Sequence, residues 1–429
     1  MAATEGRPVI DLQLLRDDVE TVAAGLARRG WDRARVDELV ALDDVWRGLV
    51  GATDDARAEQ KAASKTIGSA SNDERPAMIA RASELKQATA DLEAQTAAAE
   101  QARNVMLLTA PNLPEDDAPD GEEGDGPVLR TFGTKPTFSF PPKDHVEILE
   151  AADALDLGRA ARVSGARFAY LKGEAVLLEF ALVRYALDIA MEHGFTPMMV
   201  PILVRRDAMV GTGFLPGDEQ QLFKTDDRDD LYMIGTSEVP LASYHAGEIL
   251  DPQELPLRYA GYSPCLRREA GSAGKDTRGI LRVHQFEKVE LFSFCPPASS
   301  KDEHERMLTI EEQVFSGLGI HAQVVDVPIG DLGNPAARKF DIEAWMPGQD
   351  AYREVTSTSN TTDYQARRLN IRIRNDEGKN TTAHTCNGTA IAIQRAIIAL
   401  VETHQRKDGT VLVPEALQHH LGREVLFAS

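Results

Sequence analysis

Leu39, Leu42, Trp46, Leu49, Thr53 and Ala56 follow one another in steps of three and four, and Met78, Leu85, Leu92, Ala99 and Met106 recur every seventh residue. Each series is a heptad seam, weakened by Ala and Thr toward the middle, and each predicts a long helix. Between Asp32 and Met106 there is one proline, Pro76, among residues dominated by the strong helix formers Ala, Glu, Gln, Arg and Lys. The run Gly68-Ser69-Ala70-Ser71-Asn72-Asp73 separates the two seams. It reads as a tight reversal in which Ser71, Asn72 or Asp73 caps the second helix. The prediction is an antiparallel coiled-coil hairpin, a form that serves a dimerisation or spacer coil as well as a recognition arm.

The pattern changes after residue 111. From Asn112 to Gly126 the sequence NLPEDDAPDGEEGDG holds seven acids and no base. Its Gly and Pro content reads as a linker that touches no core. Beyond it an apolar helical run, Leu177–His193, alternates with β-branched or apolar runs at Met198–Val204, Leu231–Ile234, Val289–Phe294 and His321–Val327, which is an α+β pattern. The expected organisation is a helical hairpin over 1–111, an acidic linker over 112–130 and an α+β domain over 131–429.

Composition narrows the class. The 429 residues are 42 % hydrophobic and 27 % charged, a globular balance that excludes wholesale disorder. No apolar run approaches 18 residues, so no membrane span is expected. The opening MAATEGRPVIDLQLL has no basic stretch followed by an apolar one, so no secretory signal is expected. Cys265, Cys295 and Cys386 lie far apart, which suits a reducing cytoplasm and disfavours a thiolate zinc site. The formal charge of −21 argues against a generic nucleic-acid binder. Locally the balance reverses: from Arg57 to Lys86 six bases (including Arg57, Lys61, Lys65, Arg75 and Arg81) face four acids. A run of that size is equally a solvated helix face.

Neither a GxGxxG after a strand nor a GxxxxGK[ST] is present, so neither a Rossmann nor a P-loop nucleotide site is supported. The densest polar stretch instead runs from Arg267 to Glu290, RREAGSAGKDTRGILRVHQFEKVE, flanked by strand-like segments. A strand–loop–strand hairpin whose Gly-rich loop carries Lys275 and Arg278 offers forked guanidinium groups suited to phosphate oxygens. The bland reading is an exposed, salt-bridged hairpin. His284 reads as a locally hydrogen-bonded hairpin residue and Cys265 as a small buried one. His419-His420 is too isolated to predict a metal site. The run Arg367, Arg368, Arg372, Arg374 fits a solvated face as well as an RNA contact.

Spacing carries the recognition. Leu266-Arg267-Arg268-Glu269 followed by Arg282, Phe286 and Glu290 resembles motif 2 of the class II aminoacyl-tRNA synthetases. GFTPMMVPILV (194–204) resembles motif 1, and NGTAIAIQRAIIALVE (387–402), with Arg395, resembles motif 3. GTSEVPLA (235–242), HQFEKVELF (284–292), YREVTSTSN (352–360) and DYQARR (363–368) are similar to bacterial-type seryl-tRNA synthetase, and so is the N-terminal hairpin. The resemblance spans essentially the whole chain.

It implies an antiparallel-sheet class II catalytic domain that activates L-serine with ATP and charges tRNA(Ser), with tRNA(Sec) as a further acceptor. In the implied site Arg267 and Arg395 are catalytic. Arg267, Arg268, Glu269, Arg282, Val283, Phe286, Glu354, Val355, Thr356, Ser357 and Arg395 bind ATP, with Glu354 and Ser357 holding Mg²⁺. Thr236, Ser237, Glu238, Arg267, Glu290, Asn387 and Thr389 bind serine. The hairpin tip, through Arg57, Lys61, Lys65, Arg75 and Arg81, meets the long variable arm of the tRNA. A cytoplasmic homodimer is implied, the arm of one subunit serving the other's active site.

The chain departs from the family pattern at Leu266, Thr358, Thr361, Cys386 and Ala390. The last two raise the expectation of an altered serine pocket in a specialised or inhibitor-resistant copy. A carrier-protein ligase would lack the arm, and an inactive interaction protein would have lost Arg267, Glu269, Glu354 or Arg395.

Overall fold

The computed structural model describes residues 10–226, 228–271, 278–374 and 378–428. It divides into two compact units, with the boundary between Leu113 and Pro114.

In the first unit, α1 (Arg33–Thr66) and α2 (Arg75–Thr109) form the antiparallel hairpin. Every seam residue named above is buried or half-buried. Glu74 flanks α2 directly and makes no side-chain cap; of the three candidate residues, Ser71 braces the turn that leads into the helix. Its Oγ accepts from the Glu74 backbone N–H at 3.4 Å, and the Glu74 carboxylate accepts from the Ser71 N–H at 3.3 Å, the reciprocal pairing of a capping box. Leu15, Val22, Leu26, Trp31, Val36, Leu39, Leu107 and Ala110 form a closed core at the base of the hairpin. Beside it the seam turns polar. Buried Asp43 accepts from Arg16 Nε at 2.7 Å and from Arg103 Nη1 at 3.1 Å, and Arg103 lies 4.0 Å over the Trp46 ring. Burial pushes the Asp43 carboxyl up, but the two guanidinium groups outweigh it and hold it below the usual range.

The second unit is built on an eight-stranded sheet: β1 (Val128–Phe132), β2 (Thr196–Met199), β3 (Leu257–Leu266), β4 (Gln285–Cys295), β5 (Ala322–Asp326), β6 (Arg338–Met346), β7 (Ala351–Thr362) and β8 (His384–Ala392). Their spatial order is β1-β5-β6-β7-β8-β4-β3-β2. All neighbours are antiparallel except β2 and β3, which pair in parallel at one edge. Helices α3 (Glu174–Glu192), α4 (Ser300–Gly317) and α5 (Ile393–Thr403) bury one face of the sheet in the main core. In α5 every residue from Ala396 to Val401 is fully buried, as expected of a helix that is apolar all round.

Two expectations are corrected. Met198–Val204 is not one strand. Pro201, which can neither donate to a ladder nor leave its preceding residue free, separates β2 from a short strand at Leu203–Arg205 that pairs with Leu231–Met233 in another sheet. The acidic segment is not a free linker either. Ala118 is buried among Val327, Ile329, Leu332 and Ala336, and residues 128–132 form β1. Glu115 pairs with Lys301 at 2.9 Å, and Asp117 pairs with Arg338 at 2.9 Å. Gly and Pro there mark irregular backbone, and irregular backbone can still pack.

Asp43→Ala leaves two guanidinium groups facing each other without their anion. It is expected to destabilise the first unit by about 3 kcal/mol, measured as loss of helical signal in urea.

Candidate active site

The site grows from the β3–β4 hairpin, in register Cys265↔Phe286, Tyr262↔Val289 and Gly261↔Glu290. Residues 272–277 of its connection, Lys275 included, lie outside the described residues. Along β4 the alternation of a strand sends Phe286, Lys288 and Glu290 into a cavity and Val289 and Leu291 into the helix-side core. In a regular strand, residues three apart face opposite sides. Between β6 and β7, however, the register skips Val355, as Glu343 opposes Glu354 and Ile342 opposes Thr356. This bulge turns both Glu354 and Ser357 toward the cavity, while Thr356 Oγ1 donates to Glu311 of α4 at 2.9 Å. From β8, Asn387 and Thr389 reach the cavity, and α5 adds Gln394 and Arg395.

The cavity holds about 470 Å³. Arg267, Arg282 and Arg395 all line it, each already held by a neighbour. Arg267 Nε donates to the Gly235 carbonyl at 3.1 Å, with its guanidinium 5.3 Å from the Phe286 ring centre. Arg282 Nη1 donates to Glu269 at 2.6 Å, and Arg395 Nη1 donates to the Glu354 carbonyl at 2.8 Å. Glu269 sits at φ +49°, left-handed backbone that costs a side-chain-bearing residue roughly 1 kcal/mol. Burial pushes the Glu354 carboxyl up, but Arg395, Lys339 and Arg267 outweigh it and keep it ionised below the usual range.

A second group is knit around Glu290. Lys288 ion-pairs with it and donates to Thr236 Oγ1 at 2.8 Å. Thr389 Oγ1 donates to Glu290 at 3.3 Å and Asn387 Nδ2 at 3.4 Å. Glu238 accepts from Gln365 at 2.7 Å. Burial first, and then the neighbouring Glu290, push its carboxyl up to about 7. Asn387 Oδ1, Arg282 Nε and Asp341 Oδ1 are buried without a hydrogen-bond partner.

Thus Arg267, Glu269, Arg282, Val283, Phe286, Glu354, Val355, Thr356, Ser357, Arg395, Thr236, Glu238, Glu290, Asn387 and Thr389 line one cavity. Two expected residues do not. Arg268 turns away, its Nε donating to the Leu222 carbonyl at 2.7 Å and its guanidinium lying 4.9 Å from the Phe223 ring. Ser237 is fully buried against Ser263, Oγ to Oγ 2.7 Å. Each is the sequence neighbour of a cavity residue and points the other way.

Cys386 and Ala390 also miss the cavity. On β8 they face the helix-side core, so their placement gives no support to an altered serine pocket. His284 accepts the bland reading, its Nδ1 bonded to the Arg267 carbonyl at 2.9 Å. In the basic run, Arg368 is buried on the Val210 carbonyl at 2.9 Å and Arg367 pairs with Asp363 at 2.6 Å.

The cavity also contains Lys288, which the sequence reading counted only among the hairpin's cations, and Phe214, Asp218, Gln221 and Gln394, which it passed over. Lys288 had a signal, since it lies between Phe286 and Glu290 at strand spacing. Gln221 had none, although it holds Ala270 of the hairpin by both its amide atoms at 2.9 and 3.0 Å.

An antiparallel sheet with helices behind it, one arginine from a central hairpin and another from the helix after the last strand, defines a class II aminoacyl-tRNA synthetase core. The family model of the class II synthetase core domain (G, H, P, S and T) matches residues 222–404, and that of the seryl-tRNA synthetase N-terminal domain matches residues 9–114. The chain is 53 % identical to a serine–tRNA ligase of Acidothermus cellulolyticus over 97 % of its own length and 99 % of the relative's. It is 49 % identical to that of Corynebacterium glutamicum, covering 97 % and 98 %. A crystal structure of seryl-tRNA synthetase from Pyrococcus horikoshii complexed with ATP superposes with a TM-score of 0.90 at 40 % identity, covering 97 % of this chain and 99 % of that one. The chain belongs to the seryl-tRNA synthetase family.

Gly388 is fixed by packing under this site. A Cβ there would stand 2.7 Å from Glu311 Oε1 and 2.8 Å from Thr358 Oγ1. Gly388→Ala is expected to cost about 1–3 kcal/mol, read as a lower thermal midpoint.

Proposed function

We propose that the chain activates L-serine with ATP and passes the seryl group to tRNA(Ser), with tRNA(Sec) as a second acceptor. The observation that carries this is one cavity in which Arg267, Arg282 and Arg395 stand beside the carboxylates Glu238 and Glu290. The first set suits a triphosphate and the second an ammonium group.

In the first step a serine carboxylate oxygen attacks the α-phosphorus, the bond to the bridging oxygen breaks and pyrophosphate leaves. Arg267 takes up the charge moving onto the α-phosphate oxygens, a task for a cation fixed in advance. Phe286 stacks on adenine, with Arg395 over its other face. Glu269 and the Val283 backbone meet its edge, and Arg282 holds Glu269 in place. The serine ammonium lies between Glu238 and Glu290, and its hydroxyl donates toward Asn387 Oδ1 beside Thr389. Alanine would leave those buried groups unpaired, a strong basis for rejection. In the second step the 3′-terminal ribose hydroxyl attacks the seryl carbonyl and AMP leaves. No side-chain nucleophile is required, and positioning and charge neutralisation carry the reaction.

The residues present fit Mg²⁺. An ionised Glu354 and a hydroxyl at Ser357, brought to the same side of β7 by the bulge at Val355, are hard oxygen donors of the sort this ion prefers. When bound, the ion would neutralise phosphate charge.

Outward features support the remaining parts of the reading. Lys61, Lys65 and Arg75 are exposed at the hairpin tip, whereas Arg57 and Arg81 are engaged by Glu93 and Glu59. Met199 on the edge strand β2 is 86 % exposed and Phe180 on α3 58 %, apolar surface that a second copy would cover. Among the described residues no helix is long and apolar enough to cross a membrane.

Serine-dependent ATP–pyrophosphate exchange followed by charging of purified tRNA tests the proposal. The triple change Lys61→Glu, Lys65→Glu, Arg75→Glu is expected to raise KM for tRNA at least tenfold and leave exchange within twofold; equal loss of both would contradict this division.

The pH dependence has a defined sign. Glu238 titrates near 7, and only its ionised form attracts an ammonium group. The KM for serine in the exchange reaction is therefore expected to rise as pH falls below 7, by up to about tenfold per unit. Glu238→Gln should flatten the profile.

A further inference from the structure

The helical side of the second unit carries a group of side chains that the proposed reaction does not use. Asp188 on α3 and His419 and His420 on the C-terminal helix Glu415–Leu421 each offer one ligand atom, and these atoms all lie within 4.8 Å of one another. Among the described residues no other three His, Cys, Asp or Glu ligand atoms gather so closely. They line a groove with Arg184, Tyr185 and Glu192, and none of them lines the active-site cavity.

We propose that Asp188, His419 and His420 bind one divalent transition metal of the zinc, cobalt or nickel kind, and that this ion fastens the C-terminal helix to α3. The donor set decides the class of ion. Two imidazole nitrogens and one carboxylate oxygen suit borderline metals, whereas magnesium and calcium call for oxygen throughout. One of the three ligand pairs is already close to its bonded spacing. Bonds of 2.0–2.1 Å in a tetrahedron set ligand atoms about 3.4 Å apart, and His420 Nε2 already stands 3.7 Å from Asp188 Oδ2.

His420 is held in place, its side chain nearly buried and set edge-on to Tyr185 with ring centres 6.3 Å apart. The ring of His419 lies 3.5 Å from that of His420, centre to centre, and is exposed, with one ring nitrogen within 4.8 Å of the other two ligand atoms. Water can take the fourth position. Arg184 is the competitor. Its Nε donates to both oxygens of Asp188, at 2.8 and 3.0 Å, but its side chain is 66 % exposed and such pairs hold their carboxylate weakly. It can keep Oδ1 and yield Oδ2, which makes it an outer partner that orients the ligand.

The test uses tag-free full-length protein stripped with chelator, then dialysed against zinc with the bound metal counted, and titrated with cobalt while the visible absorption is followed. One equivalent is expected. His419→Ala with His420→Gln should weaken binding at least tenfold with serine-dependent pyrophosphate exchange unchanged, which shows that the variant is folded. Glu354→Gln, which removes an oxygen ligand from the active-site cavity, should leave zinc stoichiometry at one. Zinc should raise the thermal midpoint of the parent and not of the double variant. The absence of bound zinc in the parent, equal binding by the double variant, or loss of the equivalent in Glu354→Gln would each overturn the proposal.

Discussion

Lys288 and Glu290 stand on one face of β4 almost entirely out of water, at 7 % and 1 % side-chain exposure, each the other's counter-ion. Desolvating such a pair costs several kcal/mol per ion before their attraction returns it. The remaining lone pairs and protons must therefore find partners, and those partners assemble the site. Lys288 fixes Thr236 from the segment before Glu238, and Glu290 draws in Asn387 and Thr389 from β8. The pair thus joins three stretches of chain that are distant in sequence. It also fixes register: a slip of one residue would bury Lys288 among the helices and present Val289 to the cavity.

The same economy of partners sets two carboxylates in opposite states. Glu354 lies among Arg395, Lys339 and Arg267 and stays ionised, whereas Glu238 faces Glu290 and is pushed up. Burial acts on both in the same direction, so the neighbours make the difference. Each arginine is restrained before any ligand arrives. Little reorganisation is left for the moment of reaction, which is what gives a fixed charge its effect on a transition state. The positive φ of Glu269 and the bulge at Val355 are the backbone's share of that arrangement. One aims a carboxylate against Arg282, and the other brings residues three apart to the same side.

Much of this was legible in the sequence, where periodicity and side-chain chemistry coincided. The heptad steps gave the seam of α1 and α2, and the order of charged residues from Arg267 to Glu290 gave the hairpin. Direction was harder to read. Arg268 and Ser237 adjoin cavity residues, but alternation turns them toward Phe223 and Ser263. Cys386 and Ala390 stand in the strand that supplies Asn387 and Thr389, and alternation sends them into the core. Long-range pairing was not legible at all. Asp43 and Arg103 are 60 residues apart and no spacing in the sequence pairs them, yet together they form the buried polar end of the seam. Composition misled once, when a run of acids with Gly and Pro concealed Ala118 at the centre of a small core.

The charge of −21 invites the same mistake on a larger scale. At physiological ionic strength an exposed charge acts over about 8 Å. The field at the hairpin tip is therefore set by the residues within that reach, and the sum over the chain has little part in it. Along α1, Asp43 and Lys61 are 18 residues apart, about 27 Å at the rise of an α-helix. The acids at the base are thus screened from the tip within the arm itself. At the tip Arg57 and Arg81 are occupied by glutamates that brace the two helices, which leaves the exposed Lys61, Lys65 and Arg75 as local cations. In the acidic segment, Glu115 and Asp117 are already matched by Lys301 and Arg338. Net charge governs solubility and background affinity for polyanions. It cannot exclude one phosphate-bearing partner that docks by shape on a few local cations.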